Sequence, residues 1–113
     1  MENLDKLFAA IIADYERCSA AAIAAGNTYV VDRVQNMKSG KILYAEVGRK
    51  YIRIVSDGSV WGFVVNTHDD PKFKYGDILL AAGWKAPAKN HARGNVINCE
   101  FNTVSWAGPA YCR

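Results

Sequence analysis

Apolar residues Leu4, Leu7, Phe8, Ile11, Ile12, Tyr15, Cys18, Ala22 and Ile23 recur at helical spacing. Asp5, Lys6, Asp14, Glu16 and Arg17 occupy the other side. This pattern predicts one amphipathic helix over residues 3–25, extended by the alanines from Ala20 to Ala25 and stopped at Gly26-Asn27. The period then changes to two. TYVVDRVQN (28–36), KILYAEV (41–47), YIRIVS (51–56) and SVWGFVVN (59–66) are rich in β-branched and aromatic residues, which suit strands. Their separators are short. Asp57-Gly58 is the pair favoured where both central residues of a hairpin turn take positive φ. In YIRIVS, Ile52 and Ile54 face one way and Tyr51, Arg53 and Val55 the other. In SVWGFVVN, Trp61, Phe63 and Val65 are expected to share a face. A consecutive antiparallel meander follows, and the first helix is the nearest cover for its apolar side.

Beyond Asn66 the chain turns polar through THDDPKFKY (67–75). Asp77 is placed to cap a short helix over 78–82 that ends at Gly83. Pro87 is placed to open another, with Gly94 closing it, so that Lys89 and Arg93 would sit on one helical face. INCEFNTVSW alternates again and could return as an edge strand. The expected fold is therefore α+β, a single domain over 1–113. It divides into a helix (1–26), a β-meander of four to five strands (28–66), and a basic segment with short helices and a possible edge strand (67–113).

Length and composition fit this picture. A chain of 113 residues, half of them apolar, buries enough surface to fold without a metal or disulfide. The cysteines, Cys18, Cys99 and Cys112, are odd in number and lack a Cys-x-x-Cys pair. They read as thiols in a reducing compartment, with Cys112 exposed near the end. Acidic Glu2 and Asp5 are wrong for a signal peptide, and the run from Leu7 to Ala13 is too short to span a bilayer. A soluble, cytoplasmic protein with no membrane association is the expectation.

Charge changes the picture at one end only. Residues 1–77 hold ten cations and ten acids, whereas 78–113 hold Lys85, Lys89, Arg93 and Arg113 against Glu100 alone. The excess marks GWKAPAKNHARGN (83–95) as the candidate site. Lys85, Lys89 and Arg93 offer cationic donors, and Trp84 offers a π face. Asn90 and Asn95 offer paired amide donors and acceptors, and Gly94 a bare backbone. Together with Arg53, presented from mid-strand, these suit a phosphate joined to a base: Arg53 and Arg93 on phosphate, Trp84 on the ring, Asn90 or Asn95 on its edge. The alternative is a solvated loop anchored by a buried tryptophan. His91 has no nucleophile tied to it by a local motif, so no catalytic residue is assigned. His68-Asp69-Asp70, followed by Pro71, reads as a turn rather than a metal site, and no cofactor is expected.

The elements from Tyr51 to Ser56, Trp61-Gly62-Phe63-Val64, Gly76 to Leu79, Trp84 to Ala88 and Ala92 to Asn95 together resemble a recurrent block in small bacteriophage-encoded proteins. The Asp69-Asp70 loop departs from the shorter connection of that block. More loosely, a helix followed by a meander with this motif resembles the phage sponge proteins that defeat Thoeris-type immunity. The resemblance implies a homo-oligomer, dimer or higher, that holds a cyclic ADP-ribose-type signal without cleaving it in the cytoplasm of the infected host. A nucleic-acid-binding phage protein and a host-protein-binding inhibitor remain the alternatives. The alanine-rich helix is the expected self-association surface.

Overall fold

A computed structural model describes residues 1–109; Cys112 and Arg113 lie outside the described residues. The chain is an α+β protein in which N-terminal helices cover one face of a four-stranded antiparallel sheet. The helices are α1 (Leu4–Cys18), α2 (Ala20–Ala24) and α3 (Thr28–Lys38). The strands β1 (Leu43–Val47), β2 (Tyr51–Ser56), β3 (Ser59–Val65) and β4 (Ile78–Leu79) lie in that order across the sheet. A small hairpin of β5 (Val104–Ser105) and β6 (Gly108–Pro109) closes the described chain.

Two corrections concern the helical layer. The single helix expected over 3–25 is broken at Ser19, whose φ of −108° and ψ of 13° leave the helical basin. The segment 28–36, read as a strand, is the helix α3. Its first turn is fixed by Asn27, whose side-chain oxygen accepts the Val30 N–H at 3.2 Å. Val30, Val34 and Met37 then share the face that packs on α1 and the sheet. Burial of that stripe outweighs the modest helix penalty of the β-branched residues.

The Asp57-Gly58 turn has the expected geometry, with φ of 50° and 79°. Register shifts between Ile54 and Val55: Ile54 faces Gly62, while Val55 faces Val60. Trp61 is therefore the extra residue of a β-bulge. The bulge overturns the expectation that Trp61, Phe63 and Val65 share a face. Trp61 instead joins Ile52, Ile54 and Val64 beneath Leu7, Ile11 and Tyr15, and its indole N–H donates to the Ser105 carbonyl at 2.7 Å. Phe63 and Val65 face the other way, packed with Phe73 and Leu79. Both sheet faces are thus covered, the second by the irregular chain that follows β3.

That chain contains neither of the short helices expected at 78–82 and 87–94. Ile78 and Leu79 pair with Val64 and Phe63 as β4, sending one fully buried side chain to each face. Pro87 bridges to Ala81, and the Ala88 N–H donates to the Leu80 carbonyl at 2.7 Å, which holds this stretch open rather than helical.

Candidate functional site

The motif 83–95 divides into an outer and an inner half. In the inner half, Arg93 is 1% exposed and Asn95 4%. The Arg93 N–H donates to the Ile78 carbonyl at 2.7 Å, and the Ile78 N–H donates to the Gly94 carbonyl at 2.9 Å. Asn95 and Glu100 exchange backbone bonds of 3.2 and 2.8 Å. The Asn95 amide donates to the Tyr75 carbonyl at 3.1 Å and to the Asp77 carboxylate at 2.9 Å, and its oxygen accepts the Asn98 N–H at 3.0 Å. Asp77, expected as a helix cap, also accepts the Lys74 N–H at 2.9 Å. Gly94 has a φ of 151°, and a Cβ there would lie 2.2 Å from the Glu100 carbonyl oxygen. Its bare backbone makes room for the chain itself. Arg93 and Asn95 do not meet Arg53 on a common surface; they pin the C-terminal chain against β4.

In the outer half, Trp84 is 47% exposed and lies over Arg53, whose guanidinium carbon is 4.7 Å from the indole centroid. Arg53 is fixed from both sides. Its Nε donates to the Glu46 carboxylate at 2.9 Å, and a terminal nitrogen donates to the Trp84 carbonyl at 3.1 Å. Glu46, Arg53, Phe63 and Leu79 form one row across the second sheet face. The strand supplies the rigidity, since β2 is paired on both sides. Arg53 thus braces Trp84 rather than reaching into solvent. One indole face is spent on it.

Two residues along β2, Tyr51 shares that sheet face. The Lys89 ammonium lies 5.9 Å from its ring centroid. Lys89 and Tyr51 join Lys50, Lys72 and Phe73 around a recess of about 270 Å³, close to the lower end of small-ligand pockets. Lys72 donates to the Lys89 carbonyl at 2.6 Å, tying two of its walls together. Asp69 and Asp70 line the same recess. The Asp70 carboxylate accepts the N–H groups of Lys72 and Phe73, each at 2.8 Å. The Phe73 N–H, then the Lys72 N–H, hold its pKa below the ordinary 3.8, with smaller contributions from Lys89 and Lys50. This is the turn read from the sequence, and His68 stacks on Tyr75 at 4.2 Å beside it. Among the described residues no three His, Cys, Asp or Glu are grouped to hold a metal ion.

Lys85 and Asn90 are exposed, and the Asn90 side-chain oxygen accepts the N–H of His91 at 2.9 Å. Sequence reading missed Lys50, Tyr51 and Lys72. Lys50 and Lys72 lie in the stretch whose charges balance, and only folding brings them beside Lys89.

Another arginine, Arg33, lines a recess of about 270 Å³ near the hairpin turn. It is ion-paired with Asp57 at 3.2 Å and lies over the rings of Tyr15 and Trp106, at 5.1 and 5.7 Å. Its contacts staple α3 to the β2–β3 turn and to the C-terminal hairpin.

None of the helices among the described residues is long and apolar enough to cross a membrane. No family model, curated protein or solved structure matches the chain.

Proposed function

We propose that the protein binds a compact anionic nucleotide, of the cyclic-nucleotide or cyclic ADP-ribose class, and holds it without cleaving it. In this reading it is a phage immune-evasion protein acting in the cytoplasm of the infected host. The observation that carries the proposal is the convergence of Lys50, Lys72 and Lys89 with Tyr51 on one recess, on the sheet face where Arg53, two residues along β2, braces a half-exposed Trp84. The recess sets three lysines against Asp69 and Asp70, and Asp70 already accepts two backbone N–H groups, so the remaining positive excess favours an anionic ligand. The phosphates would lie among the lysines. The base would stack on the free face of Trp84, with Lys85 and Asn90 at the rim. Each charge-assisted bond contributes roughly 1.5–3 kcal/mol when shielded from water, so a few of them with one stacked ring reach micromolar affinity or better. Sequestration works by stoichiometry and needs no catalytic group.

The test is calorimetry with native mass spectrometry against cyclic mononucleotides, cyclic di- and trinucleotides, cyclic ADP-ribose isomers and single-stranded oligonucleotides of increasing length. The expected result is saturable binding of one compound class, recovered with unchanged mass, and weakened at least tenfold by Lys89→Ala and by Trp84→Ala. Affinity that climbs with oligonucleotide length would select the nucleic-acid reading instead. Binding to nothing in the panel would leave a surface with a protein partner.

A further inference from the structure

The outer edge of the sheet carries a second, independent signal. Among the described residues, strand β1 is paired on one side only. The Asp57 N–H donates to the Ile42 carbonyl at 2.7 Å, and the Gly48 N–H donates to the Tyr51 carbonyl at 2.9 Å. These two bonds fix the alternation between them. Ile42, Tyr44, Glu46 and Gly48 turn their backbone groups toward β2, so Leu43, Ala45 and Val47 turn theirs outward. The outward set is symmetric about Ala45.

Natural edges are usually blunted by lysine, proline or a bulge. β1 has none of these; the bulge of this sheet lies between β2 and β3. Instead it exposes Val47 at 73% and Tyr44 at 40%. Beside it runs an apolar groove of about 450 Å³, walled by Phe8 and Ile12 of α1, Met37 of α3, and Leu43 and Ala45 of β1.

We infer that β1 pairs antiparallel with β1 of a second copy about a two-fold axis through Ala45, joining two sheets into one of eight strands. In that register Ala45 faces Ala45 of the partner subunit and Leu43 faces the partner's Val47, so the outward groups make about six backbone hydrogen bonds. Val47, exposed in the single chain, lands beside the partner's Leu43 at the mouth of its apolar groove. On the other sheet face Tyr44 lies opposite the partner's Glu46. A phenol donor meets a carboxylate there, and the row Arg53–Glu46 is extended by one residue from each side. The strand complements itself at every position, which is the property a two-fold contact demands. It also makes a second copy a better occupant than an unrelated peptide. The pairing stands apart from the nucleotide reading, because none of its backbone contacts uses the lysine recess.

Sedimentation velocity and native mass spectrometry of the full chain should give a dimer. Ala45→Pro removes an outward N–H that serves no bond to β2, so it should give a monomer with unchanged circular dichroism. Val47→Lys, which puts a charge at the groove mouth, should act the same way and stands in if the proline variant fails to fold. Ala45→Cys, with Cys18, Cys99 and Cys112 changed to serine, should be joined to its copy by a short bis-maleimide, because facing residues of a hydrogen-bonded pair are about 5.5 Å apart. Tyr44→Cys in the same background should join less efficiently. A monomeric wild-type chain would overturn the proposal. So would a dimer that survives Val47→Lys but is lost on Ala21→Lys in α2.

Discussion

Replacing Asn95 by alanine separates a structural amide from a ligand-reading one. The side chain is 4% exposed and spends both ends internally, with donors to Tyr75 and Asp77 and an acceptor for Asn98. The bond to the Asp77 carboxylate is charge-assisted and worth about 1.5–3 kcal/mol; the two to backbone groups are worth about 0.5–1.5 kcal/mol each. Their sum runs from roughly 2.5 to 6 kcal/mol. Tyr75 and Asn98 are not fully interior, so water recovers part of their loss, while Asp77 keeps its bond to the Lys74 N–H. The expected destabilisation is therefore about 3 kcal/mol, a fall in Tm of roughly 12 °C for a domain of this size. Urea denaturation followed by circular dichroism measures it, with the slope m checked for two-state behaviour. Asn95→Asp sharpens the test. It places a carboxylate where an amide donated to another carboxylate, so it should be less stable than the alanine variant at neutral pH. The gap should close as acid protonates one of the pair. A loss under about 1 kcal/mol in Asn95→Ala, with ligand binding abolished, would refute the structural role and return Asn95 to the site.

Three further outcomes follow from the same structure. Gly94→Ala drives a Cβ toward the Glu100 carbonyl at a φ of 151°, and should cost about 3 kcal/mol or more by the same denaturation assay. Gly58→Ala should cost about 1–2 kcal/mol because Gly58 holds a left-handed conformation, whereas Asp57→Asn should cost less than about 1 kcal/mol, since asparagine tolerates that conformation and only the half-exposed ion pair to Arg33 is lost. Asp70 has a folded pKa below its ordinary value of 3.8, so its contribution is complete above 3.8 and drains away as pH falls through that value toward the lower folded one. The stability difference between wild type and Asp70→Asn should therefore shrink on acidification below 3.8, read from urea midpoints across pH.

The meander and the covering helix were legible because their signals are local. The alternation in YIRIVS, the Asp57-Gly58 pair and the stripe Leu7, Ile11, Tyr15 each fit one period only. The segment 28–38 was not, because it fits two. Tyr29-Val30-Val31 favours a strand by residue type, whereas Val30, Val34 and Met37 fit a helix by spacing. Asn27 tips the balance as an N-cap, although beside Gly26 it reads equally well as a C-terminal stop. Ile78-Leu79 carries no period at all. A fully buried apolar pair is assigned only by the free edge of β3 that accepts it. The bulge at Trp61 is invisible for a related reason: it depends on how the hairpin turn sets register against Val55 and Val60.

The site was half legible for a more general reason. Arginine, asparagine and glycine serve ligands and buried loop backbones through the same donors, acceptors and φ freedom, so residue type alone cannot tell ARGN as a cradle from ARGN as a brace. Burial decides. A chain that leaves β4 without a helix must satisfy its backbone groups somewhere, and Asn95 with Gly94 does so through Tyr75, Asp77, Asn98 and Glu100. The same logic works in reverse for the lysines. Charge balance along residues 1–77 hides Lys50 and Lys72, because a count along the chain does not say which charges fold together: Asp14 pairs with Arg17, Glu16 with Lys38, Glu46 with Arg53 and Asp57 with Arg33, while Lys50 and Lys72 meet Lys89 from outside that stretch. Asp69 and Asp70 stand at the recess itself, and Asp70 already accepts two backbone N–H groups. The cationic side of that recess is a product of which segments the fold brings together, which no window along the chain can count.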